Sequence, residues 1–106
     1  HYRDFTYIDD VVKILLGLIH KKKFKHNIYN ICSSKPIYIK KAVNELSKIT
    51  NYKLIKNIKK NKLDVYKTYG DNKRIIKLLK MQKFTKFSIG LINTINWYKK
   101  IGIKFF

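Results

Sequence analysis

Two kinds of periodicity alternate along the 106-residue chain, and this alternation limits the folds open to it. Runs rich in β-branched and aromatic residues predict strands; they cover residues 5–8, 27–32 and 52–58. Four segments with apolar residues three or four positions apart predict amphipathic helices; they cover residues 11–19, 39–49, 75–79 and 89–98. The predicted order is β-α-β-α-β-α-α, so we expect one α/β domain over residues 1–106.

Capping signals mark the predicted helix ends. Asp10 precedes the first helix, Asp71 or Asn72 precedes the third, and Ser88 precedes the last. Their side-chain oxygens can accept hydrogen bonds from the free N–H groups of a first helical turn. Gly102 is expected to end the last helix, because glycine adopts the left-handed conformation common there.

The charge is strongly one-sided. The chain carries 25 basic and 6 acidic residues, a formal net charge of +19, and its only arginines are Arg3 and Arg74. Such a charge favours phosphate-rich partners. However, nucleic-acid binders usually keep arginine for bidentate contacts, and the enriched residues (Lys, Ile, Asn, Tyr and Phe) all have AT-rich codons. Nucleotide drift is therefore the preferred explanation, and nucleic acid is expected to bind only non-specifically.

Cysteine and histidine usage excludes several kinds of site. Cys32 is the single cysteine, which rules out an internal disulfide and a multi-cysteine metal site. The three histidines do not show metal-ligand spacing, so no metal site is predicted. A lone cysteine fits a reducing compartment, and every apolar stretch is too short to cross a membrane. We therefore expect a cytoplasmic protein.

The sequence also lacks the motifs of a complete redox enzyme. Its four glycines are isolated, so there is no Gly-x-Gly-x-x-Gly phosphate loop. Tyr69 with Lys73, and Tyr52 with Lys56, have the spacing of a Tyr-x-x-x-Lys pair, but a chain this rich in tyrosine and lysine produces such pairs by chance. No catalytic or cofactor-binding residue is predicted.

Four motifs in order carry a family resemblance. The string from Arg3 to Val12 reads Arg-Asp-Phe-Thr-Tyr-Ile-Asp-Asp-Val-Val, and Tyr-Asn-Ile stands at 29–31, before Pro36. Asp-Val-Tyr-Lys-Thr-Tyr-Gly-Asp occupies residues 64–71, and Gly90, Ile92 and Trp-Tyr at 97–98 follow. These motifs resemble the substrate lobe of extended short-chain dehydrogenases, and the first and third together look most like UDP-glucuronate 4-epimerases.

This resemblance implies a fold and a reaction. The chain would be the C-terminal substrate-binding lobe of an NAD(P)-binding Rossmann-type protein, with the Rossmann half missing. Family members bind NAD, oxidise the sugar at C4 and return the hydride to its other face. The chain begins with His1 and the first motif begins at Arg3, so we expect a fragment. Because the NAD-binding half is missing, this fragment is expected to be inactive by itself.

The resemblance also assigns substrate-binding residues. It implies that Arg3 contacts the nucleotide diphosphate and that Asp64 accepts hydrogen bonds from the ribose hydroxyls. Thr68 would border the sugar, and Asn61 stands where some relatives carry a second phosphate-binding arginine. The residues alone leave another interpretation open, in which Arg3 forms a surface salt bridge and Asp64 a turn.

The sequence departs from the family pattern at two glycines. Cys32 and Leu63 stand where relatives usually have glycine, and a positive φ or a close backbone approach is expected at Cys32.

Several interpretations of function and partners stay open. The predicted partners are a UDP-sugar and either an N-terminal Rossmann chain or a second copy. The alternatives are a basic nucleic-acid-binding module, a dehydratase or heptose-epimerase fragment, and a non-functional gene remnant.

Overall fold

The computed structural model describes residues 1–53, 61–81 and 83–102. Within these ranges the chain is mixed α/β, with four helices and a two-stranded antiparallel sheet. In chain order, the elements are β1 (Tyr2–Arg3), α1 (Ile8–Ile19), β2 (Ile37–Tyr38), α2 (Ile39–Thr50), α3 (Lys73–Leu79) and α4 (Phe87–Lys100).

All four predicted helices are present, but the first two predicted strands are not. Residues 5–7 and 27–32 lack strand pairing, although their composition favours strands. The predicted strand at 52–58 falls largely on residues 54–60, outside the described part. The sheet forms elsewhere, where Tyr2 pairs with Tyr38 and Arg3 with Ile37.

Side-chain capping was predicted at three helix starts and is wrong at α1 and α4, whereas at α3 the Asp71 carboxylate accepts the amide of Lys73, the first helical residue, at 2.9 Å. Helices α1, α3 and α4 begin after Tyr7, Asn72 and Lys86, and none of these residues makes a side-chain cap hydrogen bond. Ser88 is the second residue of α4. The predicted helix end at Gly102 is confirmed, because its φ is +74° and its N–H donates to the Lys99 carbonyl.

Asp10 ties two distant parts of the chain together instead of capping α1. Its carboxylate accepts hydrogen bonds from the Thr85 amide at 2.8 Å and from the Thr85 hydroxyl at 2.9 Å. This bidentate contact fixes the start of α1 against the segment that leads into α4. A charged acceptor with two donors is worth more than a neutral hydrogen bond.

The apolar core is small. Among the described residues, the fully or nearly buried apolar side chains are Ile14, Ile75 and Ile95, one each from α1, α3 and α4. The radius of gyration is 16.5 Å, against about 13 Å for a compact chain of this length. Much apolar surface therefore stays exposed, including Trp97 on α4, which is 55% exposed.

Near the N-terminus, hydrogen bonds to the Asp4 carboxylate join chain segments that a larger sheet would otherwise connect. Asp4 accepts hydrogen bonds from the Ser33 hydroxyl, from the Ser34 amide at 3.1 Å and from the Gly70 amide at 3.1 Å. The Ser34 hydroxyl in turn donates to the Gly70 carbonyl at 2.6 Å. We call these four residues the Asp4 network.

At the two positions where the sequence departs from the family glycines, the backbone geometry differs from the expectation. Positive φ was expected at Cys32, but Ser34 carries it, at 56°. The close approach is real, because a Cβ on Gly70 would collide with the Cys32 sulfur and lie 3.0 Å from its Cβ. Leu63 does not have a positive φ, so its turn does not require glycine.

We predict that Gly70→Ala lowers the free energy of unfolding by about 1–3 kcal/mol, the usual range for overpacking. Cys32→Ala removes the sulfur that the new methyl group meets, so it should recover at least half of the loss in the double variant. Chemical denaturation followed by circular dichroism measures both changes. Additive losses in the double variant would contradict the proposed contact.

Candidate functional site

The centre of the candidate site is formed where β1 lies between two chain segments. On one side β1 pairs with β2, and on the other Tyr2 bridges to Lys67. The Tyr2 amide donates to the Tyr66 carbonyl at 2.8 Å, and the Thr68 amide donates to the Tyr2 carbonyl at 3.1 Å. These bonds place residues 64–68 alongside Arg3.

Arg3 and Asp64 meet directly, although they are 61 positions apart in sequence. Nη2 of Arg3 donates to Oδ1 of Asp64 at 2.7 Å, while Nη1 donates to the carbonyls of Val65 and Tyr2, each at 2.8 Å. Both side chains reach solvent, with 28% of Arg3 and 48% of Asp64 exposed. We call this pair and its immediate surroundings the Arg3–Asp64 patch.

Asn61 and Thr68, the other two predicted site residues, lie beside the pair and hydrogen-bond to backbone groups. Oδ1 of Asn61 accepts the Leu63 amide at 3.1 Å, and the Asn61 carbonyl accepts the Asp64 amide at 3.1 Å. Asn61 thus shapes the turn that presents Asp64. The Thr68 hydroxyl accepts the amide of Asp4 at 3.1 Å, which joins the patch to the Asp4 network.

Aromatic and basic side chains missed by the sequence analysis surround the patch. Nε2 of His1 lies 3.9 Å from Oδ2 of Asp64, and the ring centroids of His1 and Tyr66 are 5.9 Å apart. The ammonium of Lys67 lies 5.6 Å from the Tyr2 ring centroid and 5.5 Å from that of Tyr69. Their positions follow from the bridge to β1, which no local sequence pattern reveals.

The shifted pKa of Tyr7 does not indicate a catalytic base. Burial and a hydrogen bond with Asp9 raise the pKa of the Tyr7 phenol above its ordinary value. A raised pKa keeps the phenol protonated, whereas a tyrosine base needs a lowered one. Residues 1–53, 61–81 and 83–102 also contain no group of three or more His, Cys, Asp or Glu side chains able to hold a metal ion.

The described helices include none that is both long and apolar enough to span a membrane.

Comparison with known proteins gives a match to part of a longer protein. The chain is 36% identical over 97 residues to the uncharacterized protein MJ1055 of Methanocaldococcus jannaschii. The match covers 91% of this chain and 29% of that protein, so the chain spans less than a third of its relative. No family model matches the chain, and no solved structure matches it.

The exposure of the pair leads to a stability prediction. Because partly exposed ion pairs contribute about 0–1 kcal/mol, Asp64→Ala should lower the free energy of unfolding by less than about 1 kcal/mol. Asp4→Ala is the matched control, since it removes a nearby carboxylate with three hydrogen bonds and should cost at least about 2 kcal/mol. Urea denaturation measures both, and equal losses would show that Asp64 is a structural residue.

Proposed function

We propose that the chain is the substrate-binding lobe of an NAD-dependent nucleotide-sugar epimerase of the extended short-chain dehydrogenase type, nearest to UDP-glucuronate 4-epimerases. In this proposal the Arg3–Asp64 patch binds the UDP part of the sugar nucleotide. The observation that carries the proposal is the contact between Arg3 and Asp64. The motifs that contain them assign them, separately, to the diphosphate and the ribose of one ligand.

The Arg3 guanidinium retains donors for a phosphate. Three of its five N–H groups are engaged by Asp64 and two carbonyls. Nε and one N–H of Nη2 make no hydrogen bond to the described part of the chain. A guanidinium edge matches two phosphate oxygens, and the contacts already made hold it in place before a ligand arrives.

Asp64 retains acceptors for a ribose. Its Oδ1 binds Arg3, while Oδ2 has His1 at 3.9 Å, beyond hydrogen-bond distance. A carboxylate oxygen with free lone pairs can accept both hydroxyls of a ribose diol. The exposed Tyr66 ring beside His1 offers an apolar face to the base.

The residues of this chain do not fit the NAD that the family requires. The glycines at 17, 70, 90 and 102 are isolated, and a dinucleotide site needs several together in a strand-to-helix turn. The hydride chemistry would therefore belong to a Rossmann partner, supplied by a preceding region or another chain. The exposed apolar side chains of α1, such as Leu16 and Ile19, are suited to such a contact.

We predict saturable binding of UDP to the full chain, measured by isothermal titration at two salt concentrations. Arg3→Ala and Asp64→Ala should each weaken binding at least tenfold, because each removes a charge-assisted hydrogen bond worth about 1.5–3 kcal/mol. Lys40→Ala and Asp71→Ala serve as matched controls, since they make the same charge changes on exposed residues outside the patch.

The outcomes separate the proposal from its alternatives. Loss of binding in both patch variants, with the controls unchanged, supports a nucleotide-sugar lobe. Absence of UDP binding by a folded chain would refute it. Equal weakening in Arg3→Ala and Lys40→Ala, abolished by salt, would instead indicate non-specific attraction of a phosphate to a chain of charge +19.

We also predict that the isolated chain has no NAD-dependent epimerase activity, because it lacks a dinucleotide loop. An assay that follows conversion of UDP-glucuronate in the presence of NAD tests this. Turnover above background by the purified chain, abolished by Asp64→Ala, would contradict the division of labour proposed here.

A further inference from the structure

A second concave site lies between the segment after α1 and helix α3. It has a volume of about 310 Å³ and shares no residue with the Arg3–Asp64 patch. We call it the basic pocket; its lining residues are Lys25, His26, Tyr29, Lys73, Arg74, Lys77 and Leu78.

The basic side chains of the pocket form no ion pair within the described part of the chain. The chain has six acidic residues, all within the described ranges, and both ion pairs found there involve Asp64. Asp71 is the acid next to α3 in sequence, and its carboxylate accepts the Lys73 amide at 2.9 Å. Three lysines and one arginine therefore line a small volume without an ion-pair partner among the described residues.

The walls of the pocket are held in place by contacts that do not neutralise its basic side chains. Nη1 of Arg74 donates to the Ile28 carbonyl at 3.3 Å, which ties α3 to the opposite wall. The Tyr29 hydroxyl accepts the His26 amide at 3.0 Å and closes the turn between them. The Tyr29 ring also packs edge-on against Phe24 and His26, with centroids 6.0 and 5.8 Å apart.

His26 responds to the surrounding charge. Burial, together with the positive charges of Arg74, Lys25 and Lys77, lowers the pKa of its imidazole below the ordinary value. Lys73 and Tyr29 also line the pocket. An anion that offsets this positive potential would raise the pKa of His26.

We propose that the basic pocket is a binding site for a compact anion that carries two or more phosphoryl groups. Several phosphoryl charges are needed to balance four fixed cations, and Arg74 supplies a planar fork for one of them. The volume of about 310 Å³ lies at the small end of the range for ligand sites, and a pyrophosphate or tripolyphosphate fits it. The site is separate from the proposed UDP function and does not depend on it.

A nucleic-acid strand suits this geometry less well. Single-strand binders combine a long positive groove with aromatic faces on which bases stack. Here Tyr29 is the single aromatic ring apart from His26 in the pocket lining, and both rings are already packed against each other. A small cluster of basic side chains favours a small, highly charged ligand.

The test uses tripolyphosphate as the probe and the full chain at 150 mM salt. The pocket variant is Lys25→Gln with Lys77→Gln, and the control is Lys40→Gln with Lys41→Gln. Each pair removes two positive charges from exposed lysines, so folding and net charge stay matched. Titration calorimetry gives the affinity, and the pKa of the His26 imidazole, followed by NMR, reports occupancy of the site itself.

We expect the pocket variant to lose at least tenfold in affinity and the control less than twofold. Saturation of the original chain with tripolyphosphate should raise the pKa of His26. Equal losses in both variants, or an unmoved His26, would overturn the proposal in favour of diffuse attraction. Tighter binding of a single-stranded oligonucleotide, competed by tripolyphosphate and sensitive to the pocket variant, would overturn it in favour of nucleic acid. UDP binding should be unaffected by the pocket variant.

Discussion

The carboxylate of Asp4 is the interaction on which the rest of the structure depends. It joins three segments by accepting hydrogen bonds from Ser33, Ser34 and Gly70. Arg3 is the next residue, so the same contact sets the position of the proposed nucleotide-binding guanidinium. With strands only two residues long in the described part, side-chain hydrogen bonds perform the linking role that a larger sheet usually has. Loss of this carboxylate would therefore disturb the fold and the site together.

The apolar core is small, and this explains why much apolar surface is exposed. Three isoleucines form the buried apolar core of the described residues, while apolar side chains on α1 and α4 remain largely exposed. A core this small contributes little of the apolar burial that normally offsets chain entropy. Polar contacts such as the one between Asp10 and Thr85 fix the arrangement of helices. Covering of the exposed faces by a partner would add the stabilisation that the chain lacks.

Local patterns were sufficient for the helices and insufficient for everything that depends on distant contacts. Helix α2 follows from the spacing of its apolar residues, which is a property of the helix itself. Residues 5–7 have strand composition but no strand partner in the described part of the chain, so propensity alone was misleading. Asp10 looked like a cap because its partner is 75 positions away. The resemblance pointed separately to Arg3 and Asp64, but not to their contact. The basic pocket likewise depends on tertiary packing, which no local sequence pattern reveals.

The central claim is that the Arg3–Asp64 patch binds the nucleotide at a site distinct from the basic pocket. The most direct measurement is a two-dimensional amide NMR titration of the full, isotope-labelled chain with UDP. We expect saturable shifts of the amides at residues 2–4 and 61–68, with those at 73–77 moving less and only at higher UDP concentrations. Shifts centred on 73–77, or small shifts spread over all lysine-rich segments, would contradict the assignment of the patch as the nucleotide site.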